Sequence, residues 1–232
     1  MVRVVNDQVV ISIDSSGELL HRRGYRHAVT VAPLRETLAA GILMLLGWNG
    51  TESLADPMCG SGSFLLEGAL LARHQAPGLK RSFAFMHWPG YREGLWHLLC
   101  AEARREEVAV NVSISGADES LEAVAAAKEN CRRSEAADIV SITQCRLNEQ
   151  SVHAGQGLVV CNPPYGKRLP MEENPATYYS RLGQHLQRVY PGWRLAILCS
   201  DPDLIKATGL SFKQIARLDN GGLTVSLFTT KT

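Results

Sequence analysis

The feature that most constrains this chain is an alternation of short apolar runs with longer, helically spaced segments. "NVSISGAD" (111–118), "IVSITQC" (139–145), "GLVVCNPP" (157–164) and "WRLAILCS" (193–200) have strand length and strand composition. "SLEAVAAAKENCRR" (120–133) and "TYYSRLGQHLQRVY" (177–190) carry apolar residues at helical spacing, and "DPDLIKAT" reads as a short helix capped by Asp201. Strands separated by helices pair in parallel, in a sheet covered on both faces. "SLADPMCGSGSFLLEGALLARH" adds an earlier strand, a glycine-rich turn and a helix. Two closing strands, 211–218 and 223–229, flank Asp219-Asn220-Gly221-Gly222, which is hairpin chemistry. The expectation is an α/β fold: a mostly parallel sheet of seven strands, an antiparallel C-terminal hairpin, and helices on both faces.

The remainder is less regular. "VVISIDSSGELL" predicts two short strands around Ser15-Ser16-Gly17, followed by the basic stretch "HRRGYRH", residues 21–27. Pro33 opens a helix whose face is Leu34, Leu38, Ile42, Leu45 and Leu46, ended by Gly47. Residues 73–110 break the alternation and read as an insertion. It has aromatics at 83, 85, 88, 91 and 96 expected to form a local core, and a helix through Trp96–Val108. Residues 1–27 read as the trailing end of an upstream region, and 28–232 as the main domain.

Composition narrows the function. With 232 residues, 45% hydrophobic, the chain can bury a large core, and its net charge of +1 supplies no global attraction to a polyanion. Any nucleic-acid contact therefore needs a local basic face or a second module. The longest apolar run, "AAGILMLLG", is about half of a bilayer span, and no basic-then-apolar leader precedes a cleavage site. Six cysteines without a C-x-x-C pair read as buried free thiols in a reducing cytosol, so no metal is expected and a cytoplasmic location is.

Chemistry gathers at three strand ends. The first is Asp56-Pro57-Met58-Cys59-Gly60-Ser61-Gly62, a strand-to-helix turn whose glycines admit close backbone approach. Its spacing is neither G-x-x-x-x-G-K-[ST] nor G-x-G-x-x-G, and Asp56 would repel a phosphate; it suits a ligand with an ammonium or sulfonium centre. The second is Asp118-Glu119, where a carboxylate can accept from ribose hydroxyls, although Asp118 could instead cap the helix that follows. Together these favour S-adenosylmethionine. Cys145 occupies the next strand end, leaving adenine to backbone groups.

The third strand end is Asn162-Pro163-Pro164-Tyr165. Two prolines fix successive φ angles and push Asn162 toward an extended conformation. The Asn162 Oδ1 and the Pro163 carbonyl can both accept from an –NH₂ group, and Tyr165 can stack on a planar substrate, contributing roughly 1–3 kcal/mol for a base. An Asn-Pro turn that merely ends a strand is the plain alternative.

With those motifs, the chain resembles the catalytic domain of bacterial 23S rRNA guanine-N2 methyltransferases that carry a THUMP domain. "DPMCGSGS", "VVCNPPYGKRL", "RGYRHAVTVAPLRETLAAGIL", the middle "APGLKRSFAFMHWPGYREGLW" and the tail "GWRLAILCSDPDL … LDNGGLTVSLFTT" carry the likeness. It spans nearly the whole chain from about residue 14; Ser63 stands where the family usually has Thr. The resemblance implies a class I, Rossmann-like fold, S-adenosylmethionine contacts from Asp56, Gly60, Gly62 and Asp118, and a guanine amine held by Asn162 to Tyr165. It implies an rRNA substrate, and help from a THUMP domain or other RNA-binding partner. Backbone contacts to RNA would fall to Arg22, Arg23, Arg26, Lys167 and Arg168. Glutamine-N5 or adenine-N6 methylation, and a catalytically silent RNA-binding module, stay open as alternatives.

Overall fold

The computed structural model describes residues 1–26, 34–164 and 174–230. An N-terminal hairpin, β1 (Val2–Val5) and β2 (Gln8–Ile11), is followed by helix α1 (Glu36–Leu45), strand β3 (Ser53–Asp56) and helix α2 (Ser63–Ala72). Helix α3 (Glu93–Arg105) belongs to the insertion. Then come β4 (Ile114–Asp118), α4 (Leu121–Ser134), β5 (Val140–Gln144), β6 (Gly157–Cys161) and α5 (Pro175–Val189). The chain closes with β7 (Arg194–Cys199), α6 (Pro202–Ala207), β8 (Phe212–Asn220) and β9 (Leu223–Thr230).

The seven-stranded sheet runs β5-β4-β3-β6-β7-β9-β8. Its first five strands are parallel, and β9 enters antiparallel between β7 and β8. Consecutive residues Leu158, Val159, Val160 and Cys161 are all fully buried, so both faces of this central strand are covered, as a parallel sheet requires. Helix α5 meets α6 at Gly183, where a Cβ would lie 2.0 Å from the Thr208 carbonyl oxygen. Strand order reverses beside β3, which has β4 on one side and β6 on the other. The crevice at that reversal is where open α/β sheets hold ligands.

Several local expectations change. The N-terminal hairpin turns at Asn6-Asp7, whose φ values are 50° and 60°, rather than at Ser15–Gly17. Asn and Asp tolerate that left-handed geometry and thereby supply a two-residue turn. All eight of the hairpin's strand residues are exposed, so the apolar alternation there marks pairing without a buried face. In and beside α1, Leu34, Ile42 and Leu46 are buried as expected, but Leu43 takes the inward position and Leu45 is 56% exposed. Pro33 lies outside the described residues.

The insertion helix starts at Glu93 and stops at Arg105, short of Val108, because the Val108 N–H pairs with the Arg73 carbonyl at 3.0 Å and not along the helix. Phe83, Phe85, Tyr91 and Trp96 pack on one another with centroids 5.3–6.1 Å apart, forming the local cluster. No residue of α3 is buried, and Leu95, Leu98 and Leu99 are about half exposed. Cys59, Cys131, Cys161 and Cys199 are buried free thiols, with Cys100 and Cys145 partly so. Among the described residues, no helix is long and apolar enough to cross a membrane, and no cluster of His, Cys, Asp and Glu could hold a metal.

Candidate active site

Strand β3 delivers Asp56 to the crevice. Its carboxyl is 3% exposed, and its Oδ1 accepts the Met58 N–H at 3.2 Å. Burial, reinforced by the charge of Asp118 and opposed by that N–H, pushes its pKa up to about 8. A carboxylate so placed gains most from a positively charged neighbour.

The turn after it is tied on several sides. Cys59 N–H donates to the Ala117 carbonyl at 2.8 Å, joining the turn to β4. Gly60 and Gly62 adopt φ values of 53° and 87°, left-handed geometry that other residues rarely take. The Gly60 N–H donates to Asp118 Oδ2 at 2.9 Å. From α4, the fully buried Asn130 donates to the Ser61 carbonyl at 3.2 Å; from the loop before β6, Gln150 donates to the Pro57 carbonyl at 2.9 Å. The Ser61 Oγ is buried and has no hydrogen-bond partner among the described residues. Gly62 precedes helix α2 and offers it no side-chain cap, whereas Ser120, Asn174 and Asp201 cap α4, α5 and α6. Burial, with the charges of Asp56 and Asp118, drives the Cys59 thiol pKa well up, so it stands there as a neutral thiol.

At the end of β4 the capping question resolves. Ser120 Oγ caps α4 by accepting the Ala123 N–H at 3.2 Å, and Asp118 Oδ1 accepts the Ser120 N–H at 3.0 Å. Glu119 is exposed, and its carbonyl accepts from Gln144 Nε2 at 3.3 Å. Cys145 N–H donates to the Asp118 carbonyl at 3.0 Å, which sets the end of β5 directly beside the end of β4.

Strand β6 ends at the fully buried Cys161, and Asn162 follows. The Asn162 Oδ1 is buried and has no hydrogen-bond partner among the described residues. The Pro164 carbonyl accepts from the Tyr179 hydroxyl at 3.4 Å, and that hydroxyl also lies 3.3 Å from Cys199 Sγ. Tyr179 is fully buried on α5, so the Asn-Pro-Pro segment is braced from behind. Tyr165, Lys167 and Arg168 lie outside the described residues.

The basic stretch before α1 is employed differently from the expectation. Arg23 pairs with Glu67 at 3.2 Å, and the Tyr25 hydroxyl donates to the same carboxylate at 2.7 Å. Arg26 pairs with Glu36 at 3.2 Å, donates to the Leu34 carbonyl at 2.9 Å and bonds the Ser63 Oγ. Burial raises the pKa of both Glu36 and Glu67. Arg23 and Arg26 are therefore engaged in buried pairs that clamp the N-terminal segment onto α1 and α2, and do not face outward to a phosphate. Arg22 is exposed, paired with Glu18 at 2.5 Å.

Gln150, Asn130 and Tyr179 escaped the sequence reading. Gln150 sits in the polar loop "NEQSVH", which has no periodicity, and only its burial sets it apart. Tyr179 and Asn130 do fall on the inward stripes of their helices, a signal shared with every core residue there.

The ribosomal RNA large subunit methyltransferase K/L of Cellvibrio japonicus is 41% identical over 239 residues, covering 97% of this chain and 32% of that protein. The solved structure of SMU.472, described as a methyltransferase and complexed with SAH, superposes with a TM-score of 0.90 at 33% identity, over 98% of this chain and 60% of that one. A Listeria monocytogenes protein described as a predicted N6-adenine-specific DNA methylase superposes at 0.85 with 31% identity, over 98% and 59%. The chain thus spans between a third and three-fifths of the length of these relatives. The model of the family UPF0020, the RMKL-like methyltransferase domain, matches residues 23–227. With a buried carboxylate, a glycine-rich turn and an Asn-Pro-Pro segment converging at the switch in strand order, this chain belongs to the RMKL-like methyltransferase domain family.

Proposed function

We propose that this chain transfers a methyl group from S-adenosylmethionine to the exocyclic N2 amine of a guanine in large-subunit ribosomal RNA. The observation that carries the reading is the pair of unmet demands across one crevice. Asp56 is a buried carboxyl in want of a positive charge, and Asn162 Oδ1 is a buried acceptor in want of a donor. The cofactor supplies, when bound, a methyl group activated by a positively charged sulfur. Asp56 would balance the ammonium of its methionine part; Gly60, Ser61 and Gly62 would receive the rest of that part along the uncapped start of α2; Asp118 would take its ribose hydroxyls. The orphaned Ser61 Oγ fits such a ligand.

At the end of the adjacent strand β6, Asn162 Oδ1 and the Pro163 carbonyl would accept the two hydrogens of a planar amine. Held by both, the nitrogen turns its lone pair out of the ring plane. No strong base is needed beforehand, because the nitrogen becomes acidic only on methylation. Tyr165 would stack on the extruded base, which must leave its helix to reach this crevice. Lys167 and Arg168 would follow the backbone.

The choice of guanine rests on the resemblance carried by "RGYRHAVTVAPLRETLAAGIL" and the APGL insertion. In this reading residues 28–232 are the methyltransferase domain, with 73–110 inserted. Residues 1–27 lead in from a THUMP-type region, and the protein works in the cytoplasm. Incubation with labelled S-adenosylmethionine and unmodified rRNA, followed by nucleoside analysis, tests it. Label in N2-methylguanosine is the expected result; label in N6-methyladenosine or in protein glutamine would replace the guanine assignment.

A further inference from the structure

Beneath the Asp56–Gly62 turn lies a buried polar chain with a single direction. Gln150, 6% exposed, donates through Nε2 to the Pro57 carbonyl at 2.9 Å. Its Oε1 lies 3.3 Å from Nε2 of His185, a buried residue of α5. On the other side of the imidazole, Arg188 reaches Nδ1 at 3.3 Å and also donates to the Asn148 carbonyl at 3.1 Å.

A guanidinium only donates, so Nδ1 must accept, and the imidazole proton sits on Nε2. Burial, with the charge of Arg188, lowers the His185 pKa to about 4, which keeps the imidazole neutral at neutral pH and leaves the choice of tautomer to the Arg188 contact. The Nε2–H then donates to Gln150 Oε1, and this fixes the amide nitrogen toward Pro57. A flipped amide would set oxygen against oxygen at one end and N–H against N–H at the other. Each link thus orients the next, from the surface at Arg188 to the cofactor turn.

We infer that Gln150 and His185 are positioning residues for the methyl donor. They hold the Pro57 carbonyl, and with it the Asp56-to-Gly62 turn, in the orientation that receives it. This rests on the cofactor reading above. Asn130 performs the matching task at the other end of the turn, on the Ser61 carbonyl. Helix α5 also touches Met58 through Tyr178, at 4.0 Å, and Pro164 through Tyr179. One helix therefore sets the spacing between the donor turn and the amine-binding segment.

The test compares the parent chain with Gln150→Leu, His185→Leu and His185→Gln. S-adenosylhomocysteine affinity is measured by calorimetry, with melting temperature, cofactor KM and kcat alongside. Gln150→Leu and His185→Leu should raise Kd and cofactor KM by about tenfold while kcat at saturating cofactor holds. His185→Gln, whose amide nitrogen can stand near the imidazole Nε2, should recover most of the affinity. If the leucine variants do not fold, Gln150→Met decides, since it keeps the length of the side chain but offers no donor to Pro57. An unchanged Kd in Gln150→Met or Gln150→Leu, or a fall in melting temperature alone, overturns the inference. A parent that does not bind S-adenosylhomocysteine would overturn the cofactor reading instead.

Discussion

The main-chain N–H of Gly60 donates to Oδ2 of Asp118 across 2.9 Å, fastening the middle of the glycine-rich turn to the end of the neighbouring strand. The other carboxylate oxygen takes the Ser120 N–H at 3.0 Å. An ionised carboxylate offers about four lone-pair directions, so each oxygen keeps one for a ribose hydroxyl. Asp118 therefore acts twice, as a brace for the turn and as a candidate ligand contact.

Removing both roles should be expensive. Asp118→Ala is expected to weaken S-adenosylhomocysteine binding about a hundredfold, the loss of two charge-assisted bonds. Asp118→Asn, which keeps one acceptor oxygen, should fall between it and the parent. Calorimetry decides, and unchanged affinity in Asp118→Ala would remove the ribose assignment.

What sequence could reveal follows from the range of each signal. Strand and helix periods are local, and so are the backbone demands of Gly60, Gly62, Pro163 and Pro164; these made the sheet, the turn and the Asn-Pro-Pro segment legible. Polar burial is not local. Gln150 meets Pro57 across 93 positions, and Tyr25 meets Glu67 across 42, so nothing near either residue announces its partner. The same holds for Arg23 and Arg26, whose basic neighbourhood suggested a phosphate until Glu67 and Glu36 were seen opposite them. The exposed hairpin β1-β2 misled in another way: alternation implies a buried face only when something covers it.

Asp56 makes ligand binding depend on pH. Burial holds its carboxyl up near pH 8, so below that a cationic ligand must displace a proton. S-adenosylhomocysteine affinity should fall by nearly tenfold per pH unit below about 8. Above about 8 Asp56 is ionised, so the acid-side loss ends and affinity should level off. Asp56→Asn should bind weakly and lose the acid limb. For folding the sign is opposite to that of a stabilised carboxylate. The folded pKa lies above the unfolded value, so stability is fullest at low pH and is lost as pH rises through 8. Calorimetric affinities for parent and Asp56→Asn across this range test the first point and urea denaturation across it the second; a flat parent affinity profile would contradict the assignment.

Arg26 and Glu36, with side chains 10% and 3% exposed, form a pair whose breakage strands a buried charge. Arg26→Ala should cost about 3 kcal/mol near pH 8. Burial already raises the Glu36 pKa, and Arg26 is the main influence holding it down. Without Arg26 the carboxyl can take a proton, so the cost should shrink near pH 5. Urea denaturation at the two pH values measures the difference; equal losses would show that Glu36 does not carry the effect.

Asn162 gives the sharpest separation of stability from activity. Its Oδ1 is buried with no partner among the described residues, an arrangement that costs about 1–3 kcal/mol when an acceptor is left unpaired. A side chain kept for packing would be expected to find a partner, whereas one kept for a substrate amine waits for its donor. Asn162→Ala should therefore melt no lower than the parent and bind S-adenosylhomocysteine within about twofold. Methyl transfer should nevertheless fall by about a hundredfold or more, comparable to deleting one preorganised polar group from a reacting centre. Transfer at the parent's rate would refute the role given to Asn162. A large drop in melting temperature would instead assign the residue to the support of the strand end.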